Sequence, residues 1–212
     1  MNPFKALTEA VIEGDIQRAV AETRRAVNGG GDVKKVIEEG LFAAMDEVGQ
    51  RYSKGLMFVP EMLQAARAMQ ECMELLRPLF QKGDLSPRGK VIIGTVRQDI
   101  HNIGKNLVVM MMEGGGFAVT DLGVDVSPKK FVKKALEMGP DIVAMSALLS
   151  TTMVAMKETI EALEEAGIRD RVKVMIGGAP VTEQYANQIG ADSYAPDAGS
   201  AVIEAKRLLA VS

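Results

Sequence analysis

Beyond residue 90 the chain repeats one pattern five times: a short apolar run, then an amphipathic stretch. The runs at 91–93, 142–145 and 174–176 are uninterrupted. A strand with one wet face alternates apolar and polar residues, so an uninterrupted run reads as a strand covered on both faces. Strand candidates are 90–96, 117–122, 141–147, 171–176 and 191–195. Helix candidates are 102–113, 128–138, 151–166, 181–189 and 197–210. Strands alternating with helices predict a parallel sheet with right-handed crossovers. Five such units fit the strand order 2-1-3-4-5, in which ligands gather beyond the carboxyl ends of the strands.

The first 84 residues follow a different rule, being rich in Ala, Glu, Met, Leu and Arg. Segments 5–13 and 15–27 read as helices divided by Gly14-Asp15, with Asp15 as an N-cap. Asn28-Gly29-Gly30-Gly31-Asp32 is a loop, and Asp32 caps a third helix whose apolar stripe is Val33, Ile37, Leu41, Ala44 and Val48. A fourth helix opens at Pro60, with Glu61 suited to its positive end. Its stripe is Met62, Ala66, Met69, Met73, Leu76 and Phe80. Four helices with short loops predict a small antiparallel bundle. Residues 81–90, with Lys82-Gly83-Asp84 and Ser86-Pro87-Arg88-Gly89, form a polar linker. Two domains are therefore expected, 1–84 and 90–212.

Composition removes several classes of function. A net charge of −3 implies no basic face, so nucleic acid is not expected as a partner. Apolar runs fall well short of the ~20 residues of a membrane span. No basic-then-apolar pattern opens the chain, and with one cysteine, Cys72, no internal disulfide can form; both point to the cytoplasm. His101 is the only histidine, which excludes metal sites built from two or three. No phosphate loop, dinucleotide-binding glycine turn or serine-hydrolase elbow is present.

The strand ends carry the unusual residues. After strand 1 comes Arg97-Gln98-Asp99-Ile100-His101-Asn102-Ile103-Gly104; after strand 3, Ser146-Ala147-Leu148-Leu149-Ser150-Thr151-Thr152; after strand 4, Gly177-Gly178-Ala179-Pro180; after strand 5, Tyr194 to Gly199. Asp99 and His101 stand two apart, so in extended chain both side chains point one way. A carboxylate behind the ring would fix its tautomer and raise the basicity of the other nitrogen, as behind a metal-bound histidine. A surface histidine beside a capping residue has the same spacing. Gly177-Gly178 lets a bulky group approach the backbone, or is an ordinary turn before a helix opened by Pro180. The hydroxyls of Ser146, Ser150, Thr151 and Thr152 bond a ligand or cap a helix. Gly114-Gly115-Gly116 reads as a helix end, and Ser127-Pro128 as a helix start. Of the 14 methionines, Met57, Met62, Met69 and Met73 gather in the bundle, where core filling accounts for most. Leu56-Met57-Phe58-Val59 is an apolar run in a loop, a hydrophobic staple or a lid.

Asp99-x-His101-x-x-Gly104, Ser146-x-Leu148 and Gly177-Gly178, in that order after strands 1, 3 and 4, resemble the cobalamin-binding flavodoxin-like domains. The preceding bundle is similar to the cap module that accompanies this domain in cobalamin-dependent methyltransferases, methionine synthase among them. The resemblance covers essentially the whole chain and points to the two-domain corrinoid proteins of anaerobic methyltransferase systems. It implies a four-helix cap followed by a flavodoxin-like (Rossmann-like) five-stranded parallel sheet. It also implies a cobalamin or related corrinoid as cofactor.

Roles follow from the resemblance residue by residue. His101 would replace the cofactor's own base as lower axial ligand of cobalt, Asp99 would bond the far side of its ring, and Ser146 would extend the relay. The displaced nucleotide tail would thread beside Gly104, Ser150, Gly177 and Gly178, where side chains would fill the slot. Gln98, Asn102, Ile103 and Leu148 belong to the same loops, and Ala195, Asp197 and Ala198 would close around the tail. Met57, Val59, Met62 and Met69 would shield the upper face. Where the family usually has Gly before the aspartate this chain has Gln98, and Asn102 stands where Asp is frequent; the first alters backbone freedom beside the ring.

The function implied is methyl carriage. One methyltransferase would load the corrinoid from a small donor (a methylamine, betaine, methanol or a methoxyaromatic), and a second would pass the methyl to a folate or thiol. A reductive reactivation protein would be a further partner. The competing readings are the cobalamin subunit of an adenosylcobalamin-dependent mutase or aminomutase, a cobalamin-sensing regulator, and a cofactor-free signalling domain.

Overall fold

The computed structural model describes residues 3–79 and 86–211; Phe80 and Lys82-Gly83-Asp84 of the linker lie outside them. The chain divides into two compact units, one reaching to Pro87 and taking in Gly114–Gly116, the other formed by Arg88–Glu113 and Phe117 onward.

In the helical unit, α1 (Lys5–Ile12) leads through Gly14 into α2 (Ile16–Asn28). Asp15 caps α2 by accepting from Arg18 N–H at 3.0 Å. Gly14 has φ +70, and a Cβ there would stand 2.6 Å from Gln64 Cβ, so this turn needs glycine for both conformation and room. Asp32 accepts from Lys34 N–H at 2.9 Å and starts α3 (Val33–Lys35).

The single regular helix expected here continues instead through a π-helical segment, Val36–Phe42, into α4 (Ala43–Ser53). The cause is visible at Gly40, where α1 comes so close that a Cβ would lie 3.0 Å from Leu7 Cδ2. Thr8 Oγ1 donates to Gly40 O at 3.2 Å, an outside donor entering the helical ladder. The stripe survives the change of winding: Ile37, Leu41, Ala44 and Val48 are all buried.

Helix α5 (Val59–Leu76) starts one residue before Pro60, and Glu61 Oε2 accepts from Phe58 N–H at 2.8 Å. It packs on α1, α2 and α4. Met62, Ala65, Met69, Cys72 and Leu76 are buried along it. Burial and the Glu71 carboxylate raise the Cys72 thiol pKa, against a lowering hydrogen bond from Thr23.

The second unit is a five-stranded parallel sheet in the order β2-β1-β3-β4-β5, as the sequence predicts. The strands are β1 (Lys90–Thr95), β2 (Ala118–Asp121), β3 (Ile142–Ser146), β4 (Lys173–Gly177) and β5 (Ser193–Ala195). Val91, Ile92 and Ile93 are all buried although successive side chains face opposite ways, so both faces of β1 are covered. Ile92, Val143, Met145, Val174 and Ile176 form one core with Phe131, Met156, Ile160 and Leu163. The helices are α6 (Ile103–Gly114), α7 (Pro128–Met138), α8 (Val154–Glu165), α9 (Glu183–Ile189) and α10 (Ala198–Leu209). Ser127 caps α7, accepting from Lys130 N–H at 3.3 Å.

Two helix starts differ from expectation. Residues 151–153 are turns, so α8 begins at Val154. Pro180 sits in a turn closed by Val181 N–H to Gly178 O at 3.0 Å, and Thr182 is the cap of α9, accepting from Tyr185 N–H at 3.2 Å. Among the described residues, no helix is long and apolar enough to cross a membrane.

Gly178 shows how tightly the strand ends are fitted. Its φ is +126, and a Cβ there would lie 1.8 Å from Ala147 O. Gly104, by contrast, would place a Cβ in open space. Gly178→Ala is therefore expected to lose more than about 2 kcal/mol of stability from backbone strain and overlap. Gly104→Ala is expected to stay within about 1 kcal/mol. Urea denaturation of both variants checks the contrast, and a harmless Gly178→Ala would refute it.

Candidate functional site

Parallel strands bring all their carboxyl ends to one edge. In register, Thr95 of β1, Ser146 of β3, Gly177 of β4 and Ala195 of β5 stand in one row, each the last residue of its strand. This row and the segments that leave it hold the sheet-domain residues assigned to the cofactor from the sequence.

Asp99 is the centre. Its side chain is wholly buried, while that of His101 is 46% exposed. His101 Nδ1 lies 2.7 Å from Asp99 Oδ1, and the same oxygen accepts from His101 N–H at 3.1 Å. The other oxygen, Oδ2, accepts from Leu148 N–H at 2.8 Å, Leu149 N–H at 3.3 Å and Thr152 Oγ1 at 2.8 Å. Burial alone pushes the Asp99 pKa up, but hydrogen bonds from Leu148 N–H, the His101 ring, Thr152 and His101 N–H outweigh it. The carboxyl is thus held well below the usual carboxylate range. An ionised carboxylate only accepts, so Nδ1 carries a ring hydrogen and Nε2 is the nitrogen left to face outward. Thr95 Oγ1 donates to His101 O at 2.8 Å and fixes the backbone that carries the ring.

The relay expected through Ser146 takes another path. Thr152 supplies the hydroxyl on Asp99, and among the described residues no hydrogen bond joins Ser146 to that carboxylate. Ser146 ends the strand, whereas Thr152 lies beyond the turn whose N–H groups already face Asp99. The Ser/Thr-rich stretch 146–152 was the sequence signal; which member reaches Asp99 depends on how that turn closes.

The glycines divide. Gly104 opens onto free space in the first turn of α6. Gly177 and Gly178 are demanded by the chain itself, since their Cβ atoms would stand 2.7 Å from Ala195 O and 1.8 Å from Ala147 O. Their presence therefore needs no ligand to explain it. Asp197 caps α10, accepting from Ser200 N–H at 2.8 Å, between buried Ala195 and Ala198. Ser150 and Asn102 are exposed.

Gln98 has φ +66, which explains why glycine suits this position: the turn into Asp99 is left-handed. Around His101 the apolar side chains of Ile100 (73%), Ile103 (79%), Leu148 and Leu149 (both 44%) are exposed. Such a concentration of wet apolar surface marks a binding surface. In the helical unit, described by itself, Met57, Met62 and Met69 are buried and Val59 is half-buried. The exposed members of that loop are its neighbours Leu56 and Phe58.

Among the described residues no group of three His, Cys, Asp or Glu side chains could hold a bare metal ion. A single oriented imidazole with an apolar surround fits instead an axial donor to a metal already held by a macrocycle. The exposed ring, its buried carboxylate and the open space at Gly104 are thus compatible with a corrinoid.

Comparison with known proteins bears on the same residues. Residues 89–203 match the family model of the B12 binding domain, and residues 3–77 match a second B12 binding domain model. The chain is 44% identical over 204 residues to trimethylamine corrinoid protein 2 of Methanosarcina mazei, covering 95% of this chain and 94% of that one. A cobalamin-binding protein from Desulfitobacterium hafniense superposes with a TM-score of 0.85 at 30% identity, over 98% of this chain and 99% of the other. In the methanol:cobalamin methyltransferase complex MtaBC of Methanosarcina barkeri, one chain matches with a TM-score of 0.83 at 28% identity, over 98% of this chain and 79% of that one. With both halves matched in order, this chain belongs to the B12-binding family, as a two-domain corrinoid protein.

Proposed function

We propose that this protein is a methyl carrier that binds its corrinoid through His101 and shuttles a methyl group between two methyltransferases. The observation that carries the reading is the Asp99–His101 pair: a buried, ionised carboxylate 2.7 Å from Nδ1, with Nε2 left on an exposed ring. When bound, the corrinoid supplies a cobalt centre able to accept and give up a methyl group.

The chain's own residues then have three tasks. Asp99, with Thr152 and the Leu148 and Leu149 N–H groups behind it, holds the imidazole in one tautomer and raises the basicity of Nε2. Ile100, Ile103, Leu148 and Leu149 offer apolar surface to the macrocycle. Gly104 keeps space for the displaced nucleotide tail. In this reading Met57, Val59, Met62 and Met69 belong to the helical module that shields the methyl group.

The partners follow from the same reading. The two B12 binding domains take up residues 3–77 and 89–203, and a catalytic barrel of ~250 residues is not among them. A corrinoid protein named for trimethylamine and one matched within a methanol complex share this architecture. Donor choice therefore rests with the first methyltransferase, the carrier presenting the same cofactor to each. The acceptor enzyme acts on a folate or thiol, and a reductive reactivation protein restores oxidised cofactor. The site of action is the cytoplasm, consistent with the single, buried Cys72. The adenosylcobalamin mutase reading is set aside, because the full-length relatives are methyltransferase-system corrinoid proteins.

Four outcomes test this. His101→Ala is expected to bind cob(II)alamin without a protein nitrogen ligand, and Asp99→Asn to weaken binding about 10–100-fold. Electron spin resonance and spectroscopic titration report both, and a wild type that keeps the cofactor's own base coordinated would sink the His101 assignment. Gly104→Leu is expected to lower cobalamin affinity at least tenfold while leaving circular dichroism unchanged; equal affinity would place the tail elsewhere. The loaded protein given donor and acceptor but no partner enzyme is expected to give no multiple turnovers, as gas-chromatographic or mass-spectrometric assay of the methylated acceptor would show.

A further inference from the structure

We infer that Asp125, on the loop after β2, is a positioning residue that sets the Asp99–His101 pair by clasping the backbone on which it is built. The inference rests on the reading of His101 as the cobalt ligand and extends it to a residue outside the three family motifs.

Among the described residues only Gln98, Asp125 and Ala210 combine a side chain with positive φ. Ala210 follows the last helix, where a left-handed residue is the usual stop. The other two meet at the site. Gln98 has φ +66 and Asp125 φ +51, a conformation that costs free energy in L-residues and persists only where the surroundings enforce it.

The enforcement is reciprocal. Gln98 N–H donates to Asp125 Oδ1 at 2.7 Å, and Asp125 N–H donates to Asp99 O at 2.9 Å. Asp125 thus holds the residue before Asp99 with its side chain and Asp99 itself with its backbone. The loop around Asp125 is itself anchored. Val126 N–H donates to Thr95 O at 2.9 Å, and Thr95 N–H to Gly123 O at 3.0 Å. Asp121, which accepts from Gly123 N–H at 2.9 Å, is paired with the buried ammonium of Lys105 in the first turn of α6.

Asp99 is therefore gripped from two sides. Leu148, Leu149 and Thr152 fix its carboxylate; Asp125 fixes its main chain. Among the described residues no hydrogen bond joins Asp125 to the His101 ring, so its influence passes through Asp99. Without the Asp125 carboxylate, Gln98 loses the bond that holds it left-handed. It is then free to relax toward ordinary φ, carrying Asp99 O and with it the ring. Glycine at position 98 needs no such clasp, so Gln98 and Asp125 act together.

The test uses the full chain loaded with cob(II)alamin. Asp125→Gly removes the carboxylate without adding strain at a left-handed residue. It is expected to lower cobalamin affinity about tenfold and to give a mixed electron spin resonance spectrum, with only part of the cobalt showing a protein nitrogen. Asp125→Asn keeps an acceptor for Gln98 N–H and tolerates the conformation, so it is expected to match wild type. Asp125→Glu keeps the charge but displaces the carboxylate, and is expected to fall between, which covers the case in which the glycine variant fails to fold. A residue that only stabilised the loop would shift the apo-protein's thermal midpoint and leave the nitrogen signal whole. If Asp125→Gly and Asp125→Glu both retain wild-type affinity and a full nitrogen signal, the positioning role is wrong. If wild type itself lacks that signal, the His101 reading fails first.

Discussion

The sheet domain depends on one buried negative charge. Removing a carboxylate from water is costly unless donors replace the lost hydration. Asp99 meets that demand with donors from its own loop and from a turn 49 to 53 residues further along the chain. The charge therefore does structural and chemical work at once. It ties the β1–α6 loop to the β3–α8 loop, and it decides which nitrogen of His101 faces outward. A neutral group of the same shape would keep part of the tie but not the fixed tautomer.

Around that charge the backbone leaves ordinary conformational space at several places. Gln98 and Asp125 are left-handed with side chains, and Gly178 adopts a φ open only to glycine. All three lie in loops that follow the strand ends. In a parallel sheet these loops must turn sharply and still present N–H groups and side chains to one point, and regular backbone does not satisfy both demands. Strain at this edge is the geometric consequence of gathering a site from several strands.

The helical unit is built on a different economy. Its core is filled largely by Met, Leu, Ile, Val and Ala, and flexible methionines suit packing that must accommodate irregular neighbours. Its departure from regular helix, at Val36–Phe42, comes from a close approach of α1 and a hydroxyl entering the ladder. The exposed Leu56 and Phe58 beside buried Met57 show that the apolar loop serves both as filling and as surface.

By itself the sequence determined the two regimes, the strand order, the caps Asp15, Asp32 and Ser127, and the motif that sets Asp99 and His101 at one strand end. The regimes and caps follow from local rules of hydrophobic period and capping chemistry, the strand order from the topology that five strand–helix units fit, and the motif from its family resemblance. Tertiary structure alone decided the rest. That Thr152 rather than Ser146 completes the carboxylate, that Gly177 and Gly178 answer to Ala195 and Ala147, that Gly40 lies within a π segment and that Asp125 clasps Gln98 all depend on atoms far apart in the chain. Local pattern gives which way a side chain faces, but not which of several similar groups arrives within 3 Å, because that is set by how the loops close on a sheet already formed.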